Sequence, residues 1–337
     1  MVHGFDLRCL GAAALGLVAL AAPSAHAQEE PSPLTTGEVP SPFAYGYGEV
    51  ETTRAGAMGG AMRAAGNGTT APFLNPANLT LTRVYHIEAL GLVSPESGRQ
   101  VYGGAIVDSI TNRLAGGLTI TGGFLDPSGI DRSWLDMRLA LAYPIADVLS
   151  VGLGGRYLKL TQDGLGPLGN SKASGGLPDP QGGRLAMVNE ASFDAGFNVR
   201  AGDSGVVIGL AGQNLTFPDD GLLPTTLGGG IAYATKDLTI EVDTVGDFTS
   251  YSEAAVRVMA GGEYLIADRV PVRLGYRFDQ GADSHALSGG LGFISPEFSI
   301  EASVRRTLVG PEATTIFFGV GYFLESSGLT GRGGEDF

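Results

Sequence analysis

From Arg83 onward, apolar and polar residues alternate with a period of two, which is the pattern of β-strands. The clearest example is Val270–Phe278, where valine, leucine and aromatic residues alternate with proline, arginine and glycine. Four further segments alternate as clearly: Ala191–Arg200, Leu135–Tyr143, Leu149–Tyr157 and Phe298–Val304. Weaker alternation covers Val84–Val93, Gln100–Val107, Arg113–Thr121, Gly205–Gln213, Thr226–Tyr233, Leu238–Asp243, Ala255–Tyr264, His285–Phe293 and Thr314–Leu324. The pattern predicts about fourteen strands, and no helical periodicity competes with it.

The composition of the second face of these strands distinguishes a membrane barrel from a soluble β-protein. It carries glycine, serine and single charges, whereas a β-sandwich packs large apolar residues inward. A β-propeller would show a repeat of roughly 40–50 residues, and the chain has none. Most of the segments approach the roughly 9–11 residues that a tilted strand needs to cross a bilayer. The sequence therefore predicts an all-β fold, a transmembrane antiparallel β-barrel with an apolar outer face and a polar lumen.

Connection lengths support the same architecture, because barrels of this kind alternate short periplasmic turns with longer extracellular loops. Short connections are predicted at Pro144–Asp147, Ala201–Ser204, Ala234–Lys236, Ala267–Arg269 and Ser295–Glu297. Longer ones are predicted at Gly122–Ser133, Gln162–Ala186 and Asn214–Pro224. Aromatic residues fall near the ends of the apolar faces, as an aromatic girdle requires: Tyr143, Tyr157, Tyr264, Tyr276, Phe278 and Tyr322.

The N-terminus has the features of a secretion signal. Arg8 precedes the apolar run Leu10–Ala22, and Ala25-His26-Ala27 matches a small-x-small cleavage site. We therefore expect residues 1–27 to be a signal peptide for Sec-type export, and the protein to lie in the outer membrane. Cys9 is the single cysteine and comes before the apolar run, which argues against a lipoprotein anchor.

Composition narrows the function classes. Of the 337 residues, 54 are glycine and only 17% are charged, with a net charge of −14. An acidic chain is unsuited to nucleic acid, whose partners carry basic surfaces. His86 and His285 fall on the predicted first and twelfth strands, which are not neighbours, and no zinc-ligand spacing is present. The sequence therefore predicts neither an enzyme nor a cofactor or metal site.

Charged residues on the predicted inward faces form a separate group. A charge at mid-membrane on the lipid side would cost about 2–4 kcal/mol, so these side chains are expected to face the lumen. They either wet the lumen by pairing with one another, or line a transport path or anchor a plug. The group comprises Asp136, Arg138, Arg156, Asp194, Glu241, Glu263, Arg273, Arg277, Glu301 and Arg305.

A stretch rich in small residues, Arg54–Leu79, lies between the signal and the strands. Its glycines and alanines cannot form a core of their own but allow close backbone approach, so we expect it to pack inside something larger. It resembles the start of the FadL/OmpP1/TodX family of outer-membrane transporters, and still more its shorter PorV-like relatives. The matching residues are Arg54, Ala55, Met58, Gly59, Gly60, Ala61, Asn75, Pro76, Ala77 and Leu79.

The resemblance implies that this stretch is a hatch inside the barrel and that hydrophobic substrates pass it after a local rearrangement. It divides the chain into a leader and hatch at residues 28–82, a barrel at 83–324 and a periplasmic tail at 325–337. Asn75-Pro76-Ala77 is then expected to mark the point where the hatch ends and the chain enters the first strand.

Two functions remain open at this stage. The first is passive transport of small hydrophobic compounds, with membrane lipid and a small hydrophobic ligand as partners. The second is a PorV-like scaffold that docks other envelope proteins and transports nothing, which the short loops and the polar tail favour.

Overall fold

Fourteen strands of the described chain join edge to edge in a closed antiparallel barrel. In this computed structural model each strand pairs with its neighbours in sequence, and β1 also pairs with β14 to close the wall. The structure describes residues 50–125, 132–162, 185–217, 223–249, 253–310 and 312–324. The strands are β1 Tyr85–Ser94, β2 Arg99–Asp108, β3 Ala115–Leu125, β4 Arg132–Ala146, β5 Leu149–Gln162, β6 Leu185–Arg200, β7 Val206–Gln213, β8 Thr226–Ala234, β9 Leu238–Asp247, β10 Ala255–Ile266, β11 Val270–Asp279, β12 Ser284–Ile294, β13 Phe298–Val309 and β14 Thr314–Phe323.

Short helical elements precede the wall. They are helix α1 (Thr53–Ala57), a 3₁₀ turn at Gly68–Thr70, helix α2 (Ala71–Leu74) and a 3₁₀ turn at Pro76–Thr80. Two further 3₁₀ turns, Pro95–Ser97 and Gly202–Ser204, lie in connections between strands. Within the described ranges, no helix has the length and apolar character needed to cross a membrane.

The alternation along each strand separates an apolar outside from a polar inside. On β11, Leu274 and Tyr276 are exposed while Arg273 is buried, and the same parity holds along β4, β5, β6 and β13. Five of the six predicted girdle residues are exposed on the outer face: Tyr143, Tyr157, Tyr264, Tyr276 and Tyr322. The prediction of a transmembrane antiparallel β-barrel of about fourteen strands is confirmed.

Some boundaries differ from the prediction on β3, β4 and β6. β3 continues to Leu125, inside the predicted loop Gly122–Ser133, and β6 begins at Leu185, inside the predicted loop Gln162–Ala186. Residues 126–131 and 163–184 of these predicted loops lie outside the described residues. At the other end, β4 runs through Pro144 to Ala146 with an irregular register, where a turn was predicted. Hydrogen bonds to neighbouring strands extend these strands beyond the residues whose apolar–polar alternation predicted them.

The two ends of the barrel differ in their connections. At one end, paired strands are separated by a few residues, such as 147–148, 235–237, 267–269 and 295–297. The longest sequence separations between paired strands, between Gln162 and Leu185 and between Gln213 and Thr226, belong to strand ends at the other. By the rule for outer-membrane barrels, the first end is periplasmic and the second extracellular. The predicted signal peptide, the leader up to residue 49 and the C-terminal tail 325–337 lie outside the described residues.

Candidate functional site: the plug and the lumen wall

Residues Val50–Leu81, here called the plug, fill the lumen. Nearly all of them are buried, and their helical elements contact strands β1–β6 and β11–β14. The sequence supports these short elements locally: the Thr52 hydroxyl accepts from the Ala55 N–H at the start of α1. Asn75 Oδ1 likewise accepts from the Ala77 N–H at 3.1 Å and caps the 3₁₀ turn Pro76–Thr80.

Arg54 ties the plug to the wall. Its Nη2 donates to Glu263 Oε1 on β10 at 2.6 Å, and its Nη1 donates to Asn67 Oδ1 within the plug at 2.7 Å. The structure thus brings together a residue predicted in the hatch and one predicted among the lumen charges. A bidentate arginine–carboxylate pair of this kind fixes orientation as well as distance.

Met58, Gly59 and Gly60 lie at one of the close contacts between plug and wall. A Cβ on Gly275 of β11 would come within 2.2 Å of the Gly59 nitrogen, and one on Gly261 of β10 within 2.5 Å of the Met58 oxygen. Gly59 and Gly60 have φ values of +71° and +91°, which side chains disfavour. Plug and wall therefore both need glycine at this contact.

Asn75, Pro76, Ala77 and Leu79 dock on the opposite side of the lumen, against β3, β4, β5 and β6. Asn75 Nδ2 donates to the Arg63 carbonyl at 2.9 Å and joins two parts of the plug. The plug continues through the 3₁₀ turn to Leu81 before β1 begins, so Asn75-Pro76-Ala77 is a docking point. The expectation that it marks the entry to the first strand was wrong, because the 3₁₀ turn adds a further contact with the wall.

The lumen charges form compensated networks. Asp136 accepts from both Arg138 and Arg156, at 3.1 and 2.7 Å, and all three side chains are buried. Arg138 also donates to the Phe73 carbonyl of the plug at 3.1 Å. Asp194 accepts from the Asn214 N–H at 2.7 Å, which fixes the start of the β7–β8 connection.

A second network lies on β10, β11 and β13. Arg273 bridges Glu263 and Glu301, with an Nη2–Oε1 distance of 3.0 Å to the latter. Arg277 and Arg305 both pair with Glu51 of the plug, Arg277 at 3.0 Å. Burial alone would raise the pKa of Glu51, but the two guanidinium groups outweigh it and hold that pKa below its ordinary value.

Glu241 on β9 forms hydrogen bonds with the plug backbone and not with an arginine side chain. Its two carboxylate oxygens accept from the N–H groups of Ala64 and Ala65, and neighbouring Asp243 accepts from the Arg63 N–H at 3.0 Å. A bend of the plug is thus bound by two wall carboxylates through three backbone donors. Such charge-assisted bonds are stronger than those between neutral groups.

Sequence reasoning missed several residues of this site: Glu51, Arg63, Glu88, Asp243, Arg257 and Asp279. Strand parity would have found Asp243, since it lies two residues after Glu241 on the same face. Arg257 on β10 pairs with Asp279 on β11 at 2.9 Å. The alternation of inward and outward residues along these strands would have placed both side chains in the lumen. No comparable signal marks Glu51 or Arg63, because they lie outside any alternating segment.

The two histidines lie apart, as predicted. His86 is on β1 and His285 on β12, where His285 Nδ1 lies 2.6 Å from the Tyr276 hydroxyl on the outer face. Among the described residues, no group of three or more histidine, cysteine, aspartate or glutamate side chains could hold a metal ion. The arrangement as described is a plug fixed by ion pairs and backbone contacts.

No protein-family model and no curated protein sequence matches this chain. Several solved structures, however, match this chain in fold. The toluene transporter TbuX of Ralstonia pickettii matches with a TM-score of 0.59 at 16% identity, over 83% of this chain and 99% of its own. A Pseudomonas aeruginosa FadL homologue gives 0.58 at 14%, over 81% and 98%. The monoaromatic hydrocarbon channel CymD gives 0.61 at 14%, over 83% and 98%.

None of these three structures is described as an enzyme, which agrees with the prediction for this chain. At such identities the similarity establishes the fold. The chain has the fold of FadL-type outer-membrane transporters, a closed barrel with a plug in its lumen.

Proposed function

We propose that this protein lets small hydrophobic compounds cross the outer membrane passively, after export directed by residues 1–27. The observation that carries the proposal is an apolar cluster at the end of the lumen with the longest connections. Its inward-facing members come from five strands: Leu90, Leu92, Val101, Trp134, Leu158, Leu160 and Phe317. Phe73 and Leu74 of the plug complete it from below.

Such a cluster is unexpected for a pore that carries water and ions, whose lumen is polar. The apolar side chains of this buried cluster favour transfer of a hydrophobic compound out of water, by about 25 cal/mol per Å² of apolar surface removed. Below the cluster, the compensated charges hold the plug and leave no large net charge in the lumen. The fold shared with a toluene transporter and a monoaromatic hydrocarbon channel supports this class of cargo.

The test is flux of a monoaromatic hydrocarbon, toluene, into liposomes that contain the purified protein or none. We expect faster uptake with the protein, and slower uptake when Leu158→Asp places a charge in the apolar cluster. As a control, Leu153→Ala removes an outward side chain from the same strand and should leave uptake unchanged. Equal uptake by protein-containing and empty liposomes would overturn the proposal.

A partner-docking scaffold is a second candidate, favoured by the height of the wall. Strands β4, β5 and β6 have 15, 14 and 16 residues, whereas β7 and β8 have 8 and 9. Since roughly 9–11 residues cross the bilayer, the longer strands rise above it on one side. Purification from outer membranes distinguishes the two: a stoichiometric partner combined with no toluene uptake would favour the scaffold.

A further inference from the structure

Two carboxyl groups of β9 meet inside the lumen. Glu241 and Asp243 are successive inward residues of this strand, and both are 0% exposed. A Cβ on Gly230 of the neighbouring strand β8 would lie against Asp243 Oδ1 and 3.0 Å from Glu241 Oε1, so the two oxygens converge on the space beside this glycine. The two side chains, here called the carboxyl pair, are within hydrogen-bonding range of each other.

Backbone N–H groups of the plug satisfy three of the four carboxyl oxygens. Glu241 Oε1 and Oε2 accept from the N–H groups of Ala64 and Ala65 at 2.5 and 3.0 Å, and Asp243 Oδ2 accepts from the Arg63 N–H at 3.0 Å. The fourth oxygen, Asp243 Oδ1, is buried and has no hydrogen-bond partner among the described residues. Two ionised carboxylates offer each other only acceptors, so the contact between Asp243 Oδ1 and Glu241 requires a hydrogen.

The positive charge beside the carboxyl pair is also too small for two carboxylates. Within the described chain, the one ion pair that either group forms joins Arg63 Nη1 to Asp243 Oδ2 at 3.4 Å, and the same Nη1 donates to the Gly60 carbonyl. Asp136, by contrast, has two arginines for a single carboxylate. Two buried charges that share one arginine leave a negative charge uncompensated, which is costly in the interior.

Charged groups on the elements packed around the pair are bound to other partners. On the plug, Arg54 is within electrostatic range of Glu241 but forms a bidentate pair with Glu263 of β10. Glu51 of the plug and Glu263 are themselves negative, and Arg257 of β10 pairs with Asp279. The inward residues that β8 presents to the pair cannot titrate: Gly228, Gly230 and Ala232.

We propose that Glu241 and Asp243 hold one proton between them at neutral pH, on the line from Asp243 Oδ1 to Glu241 Oε1. With this hydrogen, every oxygen of the pair takes part in a hydrogen bond, and the remaining negative charge faces Arg63 and three backbone N–H groups. The proton lets the wall hold the plug bend Arg63–Ala65 without a second arginine. The inference concerns attachment and is independent of transport, since Asn75 and Asn78 also donate to the Arg63 carbonyl and keep the bend in place.

A shared proton gives the stability of the folded protein a definite dependence on pH. In the unfolded chain both carboxyl groups are ionised at neutral pH. The folded protein then binds one proton more than the unfolded chain, so raising the pH favours unfolding. The unfolding equilibrium constant should rise by up to about tenfold per pH unit until the folded pair has lost its proton. This contribution is lost toward alkaline pH, whereas that of Glu51 is lost on acidification.

The first experiment is infrared spectroscopy of the full chain in detergent at neutral pH. Asp243→Asn keeps the geometry of the pair, because its amide nitrogen can donate to Glu241 Oε1 while its oxygen accepts from Arg63. We expect the unmodified protein to show the carbonyl band of a protonated carboxyl group and Asp243→Asn to lose it. Asp136→Asn is the matched control and should retain the band, since two arginines hold Asp136 ionised.

Absence of the band from the unmodified protein, or an unchanged band in Asp243→Asn, would overturn the shared proton. If Asp243→Asn does not fold, Glu241→Gln replaces it, because removal of either carboxyl group must abolish the band.

The second experiment measures the unfolding equilibrium constant by denaturant titration from neutral to alkaline pH. Asp243→Asn should stay close to the unmodified protein at neutral pH and become relatively more stable above it, by up to about tenfold per pH unit. Other titrating groups, such as Glu51 and Glu88, cancel in this ratio. Glu241→Gln should be less stable throughout, because its amide turns a donor toward the N–H of Ala64 or Ala65. A ratio between Asp243→Asn and the unmodified protein that does not change with pH would mean that no proton is shared.

Discussion

Single glycines decide how closely the plug can approach the wall. A Cβ on Gly152 would lie 2.3 Å from the Ala77 nitrogen, a backbone atom that cannot turn aside. Gly155, three positions along the same strand, faces outward and would meet nothing within 4 Å. Some glycines of the wall thus leave no room for a side chain, whereas others would accommodate one. Only the contact with the plug distinguishes the two kinds of position.

The first prediction compares these two glycines. Gly152→Ala should destabilise the protein by about 1–3 kcal/mol, because the new methyl group must displace plug backbone. Gly155→Ala should be neutral or slightly stabilising, since alanine restricts the unfolded chain more than glycine. The unfolding free energy in detergent, from denaturant titration, measures both. Equal values for the two variants would mean that the plug does not press on β5.

At the scale of elements, ion pairs hold the plug against one side of the barrel. Glu51, just before α1, accepts from Arg277 and Arg305 on two different strands, and Arg54 of α1 reaches Glu263 on a third. Removing one member of such a buried set leaves its partners uncompensated, at a cost of about 3–5 kcal/mol. The start of the plug is therefore fixed electrostatically.

The second prediction concerns the pH dependence of this anchor. The pKa of Glu51 is lowered in the folded protein, so its contribution to stability is present above the ordinary carboxyl range and is lost as pH falls through the lowered value. Glu51→Gln should lower the melting temperature near neutral pH. The difference from the unmodified protein should shrink on acidification below the ordinary carboxyl pKa. A difference that stays constant from neutral to strongly acidic pH would contradict the assignment.

At the scale of the whole molecule, the distribution of apolar and charged side chains between outside and inside is the reverse of that in a soluble β-protein. Its outer face carries large apolar side chains such as Leu153 and Leu274, and its charges are buried inside. This arrangement is stable because lipid surrounds the outside and the plug fills the inside. Neither the wall nor the plug has a complete core of its own.

The third prediction uses depth in the membrane. Leu153→Arg, at a 66% exposed position in the middle of the wall, should cost about 2–4 kcal/mol. Val309→Arg, at a 58% exposed position next to the β13–β14 connection, should cost about 1 kcal/mol or less, since charges near the interface are tolerated. Unfolding from phospholipid vesicles measures the difference. Equal costs would mean that β5 does not cross the bilayer at Leu153.

The sequence by itself determined the barrel, its strand number and the inward side of each strand, because a period of two places successive residues on opposite faces. It also marked the small-residue stretch as a segment that must pack against something. Tertiary structure decided which charges meet: Arg54 and Glu263 are 209 positions apart, and Glu51 and Arg305 are 254 apart. Barrel closure and plug folding bring such groups together, and no local pattern encodes that geometry. The same holds for Glu88, which looks like any inward charge in the sequence and is distinguished only by having a plug threonine, and no arginine, beside it.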